Sequence, residues 1–278
     1  MSAADPVPHI VIKPPSRWAP LNLREVWEFR DLLTRFAIRD LKLRYKQTAL
    51  GVIWVVLQPL LAAGIFSFVF GRVADLPSEG VPYFVFAYVG MMAWTAFSST
   101  LSKISSSLVG NAQLISKIFF PRLVLPLSTL GSTLVDFAVA LAMGAVVIAA
   151  GGVAPGLAVL TMPLWFVLAL LLGTGLGLVA AALMVQYRDI GYVLPVVTQM
   201  LLYGTPIAYA MSAVPQSAKW VVQLNPLAGV IEGFRWSLLD TPAPTGGVII
   251  WSAVASITLF LAGSLVFTRM ERRFADVI

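Results

Sequence analysis

Four cations near the amino terminus have the spacing of one helical face. They follow one another at intervals of four, three and four residues, and they are Arg35, Arg39, Lys42 and Lys46. On an α-helix such residues lie one above another, and the apolar residues on roughly the opposite side are Val26, Phe29, Leu33 and Ala37. A helix with these two faces lies flat on a membrane, where its cations meet anionic lipid headgroups. The spacing therefore predicts an interfacial helix.

Asp136 is the only acid in the middle of an apolar stretch. A carboxylate at membrane depth costs about 2.5–3.5 kcal/mol on insertion scales, so it needs partners or water. Four hydroxyl side chains precede it by one or two turns on nearly the same face: Ser128, Thr129, Ser132 and Thr133. Two interpretations stay open. Either these hydroxyls or a neighbouring helix satisfy Asp136 structurally, or the carboxylate lies on a transport pathway.

Aromatic and amide side chains mark two further segments. One group crowds the first end of an apolar stretch and consists of Tyr83, Phe84, Phe86 and Tyr88. Aromatic rings at the end of a span are typical of an interfacial belt, although rings that contact a ligand would show the same pattern. The second group recurs at intervals of seven, four and three and consists of Tyr192, Gln199, Tyr203 and Pro206. This spacing predicts one polar and aromatic helix face, a candidate pore face.

Residues for catalysis or nucleotide binding are missing from the sequence. It contains no G-x-x-x-x-G-K-[S/T] phosphate loop and no G-x-S-x-G elbow. It has no cysteine and a single histidine, His9, so a conventional nucleophile–base pair or metal cluster cannot be built. We expect no cofactor on this chain and no enzymatic activity. Solute movement would need energy from a partner that binds ATP.

The composition is that of an integral membrane protein. Hydrophobic residues make up 59% of the 278 residues and charged residues only 12%, whereas a soluble domain carries about 25% charged residues. The net charge of +6 is not gathered in a soluble basic domain, because the cations lie at the ends of apolar segments. This distribution indicates orientation in a membrane and argues against nucleic acid as a partner.

Apolar segments divide the chain into six predicted spans. Their approximate ranges are 50–70, 83–101, 123–150, 157–185, 192–209 and 248–267. Between the last two spans, Asn225-Pro226 separates two short apolar pieces whose length suits re-entrant or interfacial helices. Gly173 and Gly177 have the spacing that lets helices approach closely, either within the chain or between two copies.

The predicted organisation has four parts. Residues 1–20 form a cytoplasmic tail, 21–49 the amphipathic interfacial helix, 50–270 the transmembrane domain and 271–278 a second cytoplasmic tail. Six spans place sixteen of the nineteen Lys and Arg residues on one side and three on the other, namely Arg72, Lys219 and Arg235. Cytoplasmic loops carry the excess of such residues, so both termini are predicted to be cytoplasmic.

Five strings in this sequence resemble the membrane subunit of ABC-2 type exporters, and most closely the exporters of polysaccharides and polyol phosphates such as O-antigen, galactan and teichoic acid. The strings are RDLKLRYKQTALGVIWVVLQPL at 39–60, NAQLISKIFFPRLVLP at 111–126, YRDIGYVLPVVTQMLLYGTPIAY at 187–209, NPLAGVIEGFR at 225–235 and RRFADVI at 272–278. The resemblance as a whole extends over nearly the entire chain from about Leu21.

This resemblance implies a homodimer in a bacterial plasma or inner membrane with two copies of a separate cytoplasmic ATPase, which would hold ATP and Mg. The implied substrate is a glycan linked to a polyprenyl diphosphate and moved out of the cytoplasm. The helix before the first span would be a cytoplasmic gate. The implied coupling helix docks on the ATPase through a short amphipathic segment with exposed apolar side chains, and its residues here are Asn111, Leu114, Ile115, Phe119, Phe120 and Pro121.

The resemblance also suggests roles for aromatic and cationic side chains. Rings along the channel would let sugars slide by stacking, and the matching residues are Tyr83, Phe84, Tyr88, Trp94, Tyr192 and Tyr203. The cations that would recruit the diphosphate, or else anchor anionic lipids, are Arg35, Arg39, Lys42 and Arg44. Two other functions stay open: an ABC-2 exporter of small hydrophobic drugs or lipids, and a stand-alone secondary transporter.

Overall fold

Helices account for all regular structure in the residues that the computed structural model describes, which are 23–46, 51–115, 117–118 and 120–271. In chain order the helices are α1 (Leu23–Glu28), α2 (Arg30–Lys46), α3 (Gly51–Phe66), α4 (Tyr83–Ser106), α5 (Ala112–Ile115), α6 (Val124–Ala150), α7 (Met162–Gln186), α8 (Ile190–Gly204), α9 (Gln216–Leu224), α10 (Pro226–Leu239) and α11 (Gly246–Glu271). A π-helical turn, Ser67–Val73, prolongs α3. The predicted all-α polytopic membrane fold is confirmed.

Five of the six predicted spans are long and apolar enough to cross a membrane in the described part of the chain. They are Ile53–Val73, Tyr83–Ser106, Val124–Ala150, Leu157–Gln186 and Gly246–Glu271. The predicted fifth span corresponds to α8, which is apolar but has only 15 residues. At 1.5 Å per residue α8 is about 22 Å long, less than the ~30 Å of a hydrocarbon core.

Two predicted span ends were wrong. The second span continues past Leu101 to Ser106, because Ser105 and Ser106 donate their hydroxyls to the carbonyl of Ser102 and so lower the cost of a polar last turn. The fifth span ends at Gly204 and not at Tyr209, because Thr205 precedes Pro206 and takes an extended backbone. Proline disfavours the helical conformation in the residue before it.

The interfacial segment is two helices, α1 and α2, that meet at Phe29. Instead of lying alone on a surface, α2 packs along α6. The two helices pack tightly at Gly131, where an added Cβ would lie 2.8 Å from the Cβ of Ala37. Phe36 is buried at this contact, so α2 is part of the helical bundle. The predicted tail 1–20 and residues 272–278 of the second tail lie outside the described residues.

Glycines bring α4, α7 and α11 into direct backbone contact. An added Cβ on Gly173 would lie 2.8 Å from the carbonyl oxygen of Phe97, and one on Gly177 would meet Ile104, so both face α4 within the same chain. On the other side of α7, an added Cβ on Gly263 would lie 2.1 Å from the carbonyl oxygen of Gly175. The small-residue spacing of α7 therefore serves packing within the chain.

The predicted break between two short helices occurs at Asn225-Pro226. Asn225 caps α10, since its Oδ1 accepts a hydrogen bond from the backbone N–H of Leu227 at 3.0 Å, and Pro226 takes the first helical position. The amide of Asn225 also donates to Thr205 Oγ1 at 2.8 Å, which ties α10 to the end of α8. Most of α10 is buried in the bundle, whereas α9 has no fully buried residue.

Candidate functional site

A cavity of about 440 Å³ lies among α3, α4, α6 and α8, and Arg44 of α2 reaches its wall. One side of it is a row of hydroxyls on α4 that we call the hydroxyl wall, formed by Thr95, Ser98, Ser99 and Ser102. Their intervals of three, one and three residues place them on a single helix face. They offer both hydrogen-bond donors and acceptors without carrying charge.

Amide and indole groups complete the lining. Gln58 of α3 and Gln199 of α8 face the cavity from two helices, and Trp54 and Trp94 contribute indole rings. Pro59 of α3 also lines the cavity. The cavity thus combines neutral hydrogen-bonding groups with flat rings. Such a surface suits a hydroxylated ligand with apolar faces.

Asp136 is held by two cations. Neither of the two interpretations that the sequence left open for Asp136 had included a cation. Its Oδ2 lies 2.7 Å from Arg44 Nη1 and 2.8 Å from Lys103 Nζ. Lys103 Nζ also donates to Ser132 Oγ at 2.9 Å and to Thr133 Oγ1 at 3.3 Å. The carboxylate is therefore satisfied structurally, and because Asp136 and Arg44 line the cavity, it also lies beside the candidate pathway.

Some of the predicted path residues lie together at the cavity, and others lie away from it. Trp94 and Gln199 line the cavity together with Arg44 and Asp136. Tyr88 is fully buried in the core, where its hydroxyl donates to the carbonyl of Ala140 at 2.8 Å, so it does not face the cavity.

The other predicted path residues lie elsewhere. Tyr83 donates its hydroxyl to the carbonyl of Ala208, and Phe84 is a half-buried ring packed against the core. Tyr192 and Tyr203 are exposed on α8, where Tyr203 accepts a hydrogen bond from Gln199 at 3.2 Å. The predicted face was wrong at Pro206, which follows the end of the helix.

The four predicted gate cations have different surroundings. Arg39 is held by Asp40 at 2.8 Å and by Asn111 Oδ1 at 2.9 Å, and its guanidinium lies over the ring of Phe36. Arg44 reaches Asp136. The remaining two, Arg35 and Lys42, are exposed on α2.

The predicted coupling segment is docked on α2. Asn111 joins Arg39, and its Nδ2 donates to the carbonyl of Ser107 at 2.8 Å. Phe120 was predicted to be exposed, but it is buried, with its ring centroid 5.7 Å from that of Phe36 in an edge-to-face contact.

The other predicted coupling residues are partly covered or undescribed. Leu114, Ile115 and Pro121 are half-buried, and Phe119 lies outside the described residues. Among the described residues of this segment, the exposed large apolar side chains are instead Val109 and Ile118.

Sequence reasoning missed the hydroxyl wall and Lys103. The spacing of Thr95, Ser98 and Ser102 within an apolar helix is a detectable signal, because hydroxyls that recur on one face of a span point to a polar neighbour. The predicted second span ends at Leu101, two residues before Lys103, so the sequence does not predict the pairing of Lys103 with Asp136. Among the described residues, no group of three His, Asp or Glu side chains is placed to hold a metal ion.

Comparison with known proteins finds a family match over most of the chain. Residues 32–239 match the ABC-2 type transporter family. The O-antigen export system permease protein RfbA of Klebsiella pneumoniae is 30% identical over 254 residues, which cover 89% of this chain and 95% of the relative.

Two further relatives are similar over comparable lengths. A protein of the same name from Myxococcus xanthus is 27% identical over 92% of this chain and 98% of its own length. The polysialic acid transport protein KpsM of Escherichia coli is 27% identical over 84% of this chain and 92% of its own length. The similarity therefore extends over nearly the full length of each relative.

Proposed function

Since this chain belongs to the ABC-2 type transporter family, we propose that it is the membrane-spanning subunit of an exporter that moves a polysaccharide across the bacterial plasma or inner membrane. The names of its relatives, which refer to O-antigen and polysialic acid, support this substrate class.

The observation that carries the proposal is the chemistry of the larger cavity. A sugar ring has hydroxyls that donate and accept hydrogen bonds and C–H faces that pack on flat rings. The hydroxyl wall, Gln58 and Gln199 match the hydroxyls, and Trp54 and Trp94 match the faces. An exporter of apolar drugs would leave so many polar groups unpaired against its substrate, which is costly.

Energy would come from a separate ATPase that holds ATP and Mg, with two copies of it serving two copies of this chain. The segment from Val109 to Pro121 is proposed as its docking site. Its exposed apolar side chains, Val109 and Ile118, suit a groove on a partner protein. The link from Asn111 to Arg39 would carry motion of this segment into α2, and Arg44 would carry it to the cavity wall.

The substrate would be a glycan carried on a polyprenyl diphosphate. Arg35 and Lys42 are the exposed members of the predicted cationic face, so they are the residues proposed to meet the diphosphate or anionic lipid at the membrane surface. Both termini would be cytoplasmic, which places Arg44 and Lys103 near the cytoplasmic end of the bundle.

Gene deletion and complementation test the proposal. We expect loss of surface polysaccharide together with accumulation of the lipid-linked glycan inside the cell, and restoration of export by the intact chain. Restoration should fail when the P-loop lysine of the partner ATPase is replaced. Normal surface polysaccharide with broad drug sensitivity would contradict the proposal and favour a drug exporter. Transport by the chain alone in liposomes would favour a secondary transporter.

A further inference from the structure

A second cavity, of about 280 Å³, lies at the opposite end of the bundle from the Arg44–Asp136–Lys103 cluster. Its lining includes Phe86 and Val248, which are near the first residues of α4 and α11, whereas Lys103 is near the last residues of α4. Its volume is close to the lower end of the ~300–1,000 Å³ range of small-molecule sites. The residues that line this second cavity belong neither to the lining of the larger cavity nor to the coupling segment.

Arg235 forms the floor of this cavity and is almost fully buried. Its guanidinium lies 3.5 Å from the centroid of the Phe86 ring, and its Nη1 and Nη2 donate to the carbonyls of Pro206 and Ile207. Gly90 leaves room for it, since an added Cβ there would lie 2.7 Å from Nη2. Among the described residues Arg235 Nε has no hydrogen-bond partner. An unpaired buried donor of this kind is uncommon in folded proteins.

The charges around the cavity balance. Glu79 and Glu232 contribute two carboxylates, and Lys219 and Arg235 contribute two cations. A free phosphate would therefore meet two carboxylates, and a divalent cation would meet two positive groups. A neutral ligand that both donates and accepts hydrogen bonds fits this arrangement better.

Burial adds a further constraint. It raises the pKa of Glu232, against the opposing effect of the Arg235 charge, so this carboxylate gains from a hydrogen-bond donor in the cavity. Glu79 accepts a hydrogen bond from the Ser212 hydroxyl, and both residues line the cavity. Pro242 and Pro244 form apolar walls beside these polar groups.

We propose that the second cavity is a sugar-binding site that holds one unit of the glycan at the end of the bundle where it leaves the membrane. The carboxylates of Glu79 and Glu232 accept hydrogen bonds from sugar hydroxyls, Lys219 donates, and the prolines contact the apolar face of the ring. This inference rests on the proposed export of a polysaccharide and adds a second contact site on its route.

Site-directed labelling tests the proposal, because the chain has no cysteine of its own. Ala243→Cys places a single thiol in the exposed lining of the cavity, and Asp75→Cys places one at an exposed position of the loop before α4, outside the lining. Each full-length variant is purified with the subunits that accompany it and placed in lipid nanodiscs. The rate of reaction with a charged maleimide is measured with and without oligosaccharides released by mild acid from the host's surface polysaccharide.

We expect the oligosaccharides to slow labelling of Ala243→Cys at least threefold and to leave Asp75→Cys unchanged. Adding Glu79→Gln and Glu232→Gln should abolish the protection. Unprotected Ala243→Cys, equal protection of both thiols, or protection by glycerophosphoethanolamine and not by sugar would overturn the inference. The Ala243→Cys chain is also tested for its ability to restore surface polysaccharide in a deletion strain. If it restores the polysaccharide, any of these unfavourable labelling results refutes the sugar site alone. If the deletion has no effect on the polysaccharide, the proposed function is refuted.

Discussion

Asp136 lies between Arg44 and Lys103 at the wall of the larger cavity, and its side chain is only 10% exposed. Replacing it by asparagine leaves two cations without their counter-charge, and breaking a buried pair costs ~3–5 kcal/mol. We expect a value near the lower end for Asp136→Asn, about 3 kcal/mol, because the side chain of Arg44 is 41% exposed and water screens part of the interaction.

Thermal unfolding of the purified chain in detergent checks this prediction. Asp75→Asn, at an exposed acid outside the bundle, is the matched control and should leave the melting temperature unchanged. The double variant Lys103→Met/Asp136→Leu should melt above Asp136→Asn, because it removes the more buried of the two unpaired cations and leaves only Arg44, whose side chain is 41% exposed. An unaltered melting temperature for Asp136→Asn would show that the ion pairs do not stabilise the fold.

The hydroxyl wall provides a second prediction at the level of single residues. Removing its hydroxyls with Thr95→Val, Ser98→Ala and Ser102→Ala should lower export of the polysaccharide several-fold, since each hydrogen bond to a sugar contributes about 0.5–1.5 kcal/mol. Export is measured as surface polysaccharide per unit of membrane-inserted chain. Ser256→Ala/Ser264→Ala removes two hydroxyls that donate within α11 and should export normally. Equal export by both variants would exclude the wall from the path.

Among the helices, α7 and α11 have the closest backbone contact. Gly263→Ala would place a methyl carbon 2.1 Å from the carbonyl oxygen of Gly175, so one of the two backbones must move. Overpacking of this kind costs about 1–3 kcal/mol. We expect a lower melting temperature and less membrane-inserted chain, measured by a thermal shift and by quantitative blotting. Gly246→Ala is the control, since an added Cβ there meets nothing within 4 Å; a similar loss for both variants would contradict the packing argument.

The positions of the helices were more predictable from the sequence than the contacts between them. Hydrophobic length identified the long spans, and Asn225-Pro226 marked the start of α10. Helical spacing tells which side chains share a face, but it does not tell which neighbour that face meets. Tyr88 and Trp94 both lie on α4, yet Tyr88 packs in the core and Trp94 lines the cavity.

Long-range partners were the least predictable part of the candidate site. Lys103 meets Asp136 from 33 residues away in sequence, and Arg39 meets Asn111 from 72 residues away. Neither pairing has a local signal. The same limit applies to Phe120, whose amphipathic context predicts an exposed ring although Phe36 covers it.

In the molecule as a whole, two cavities with different charge patterns lie at different depths of one bundle. The larger contains the hydroxyl wall with Arg44 and Asp136, and the smaller contains balanced carboxylates and cations. Helix α8 has no fully buried residue, and it exposes Tyr192, Val196 and Met200 beside its own residues that line the larger cavity. A second copy of the chain packed against this face of α8 would complete the wall of a passage. It would also cover α8, which is shorter than the hydrocarbon core of the membrane.

Cross-linking in membranes tests this arrangement, and the absence of native cysteine makes single thiols informative. Val193→Cys, Val196→Cys and Met200→Cys follow one exposed face of α8, and Val254→Cys has similar exposure on α11. If two copies meet along α8, a short bismaleimide should give at least fivefold more covalent dimer for one or more α8 variants than for Val254→Cys, as measured on denaturing gels. Cross-linking confined to Val254→Cys would place the contact on α11 and leave α8 facing lipid, because a two-fold interface is formed by the same surface patch of both copies.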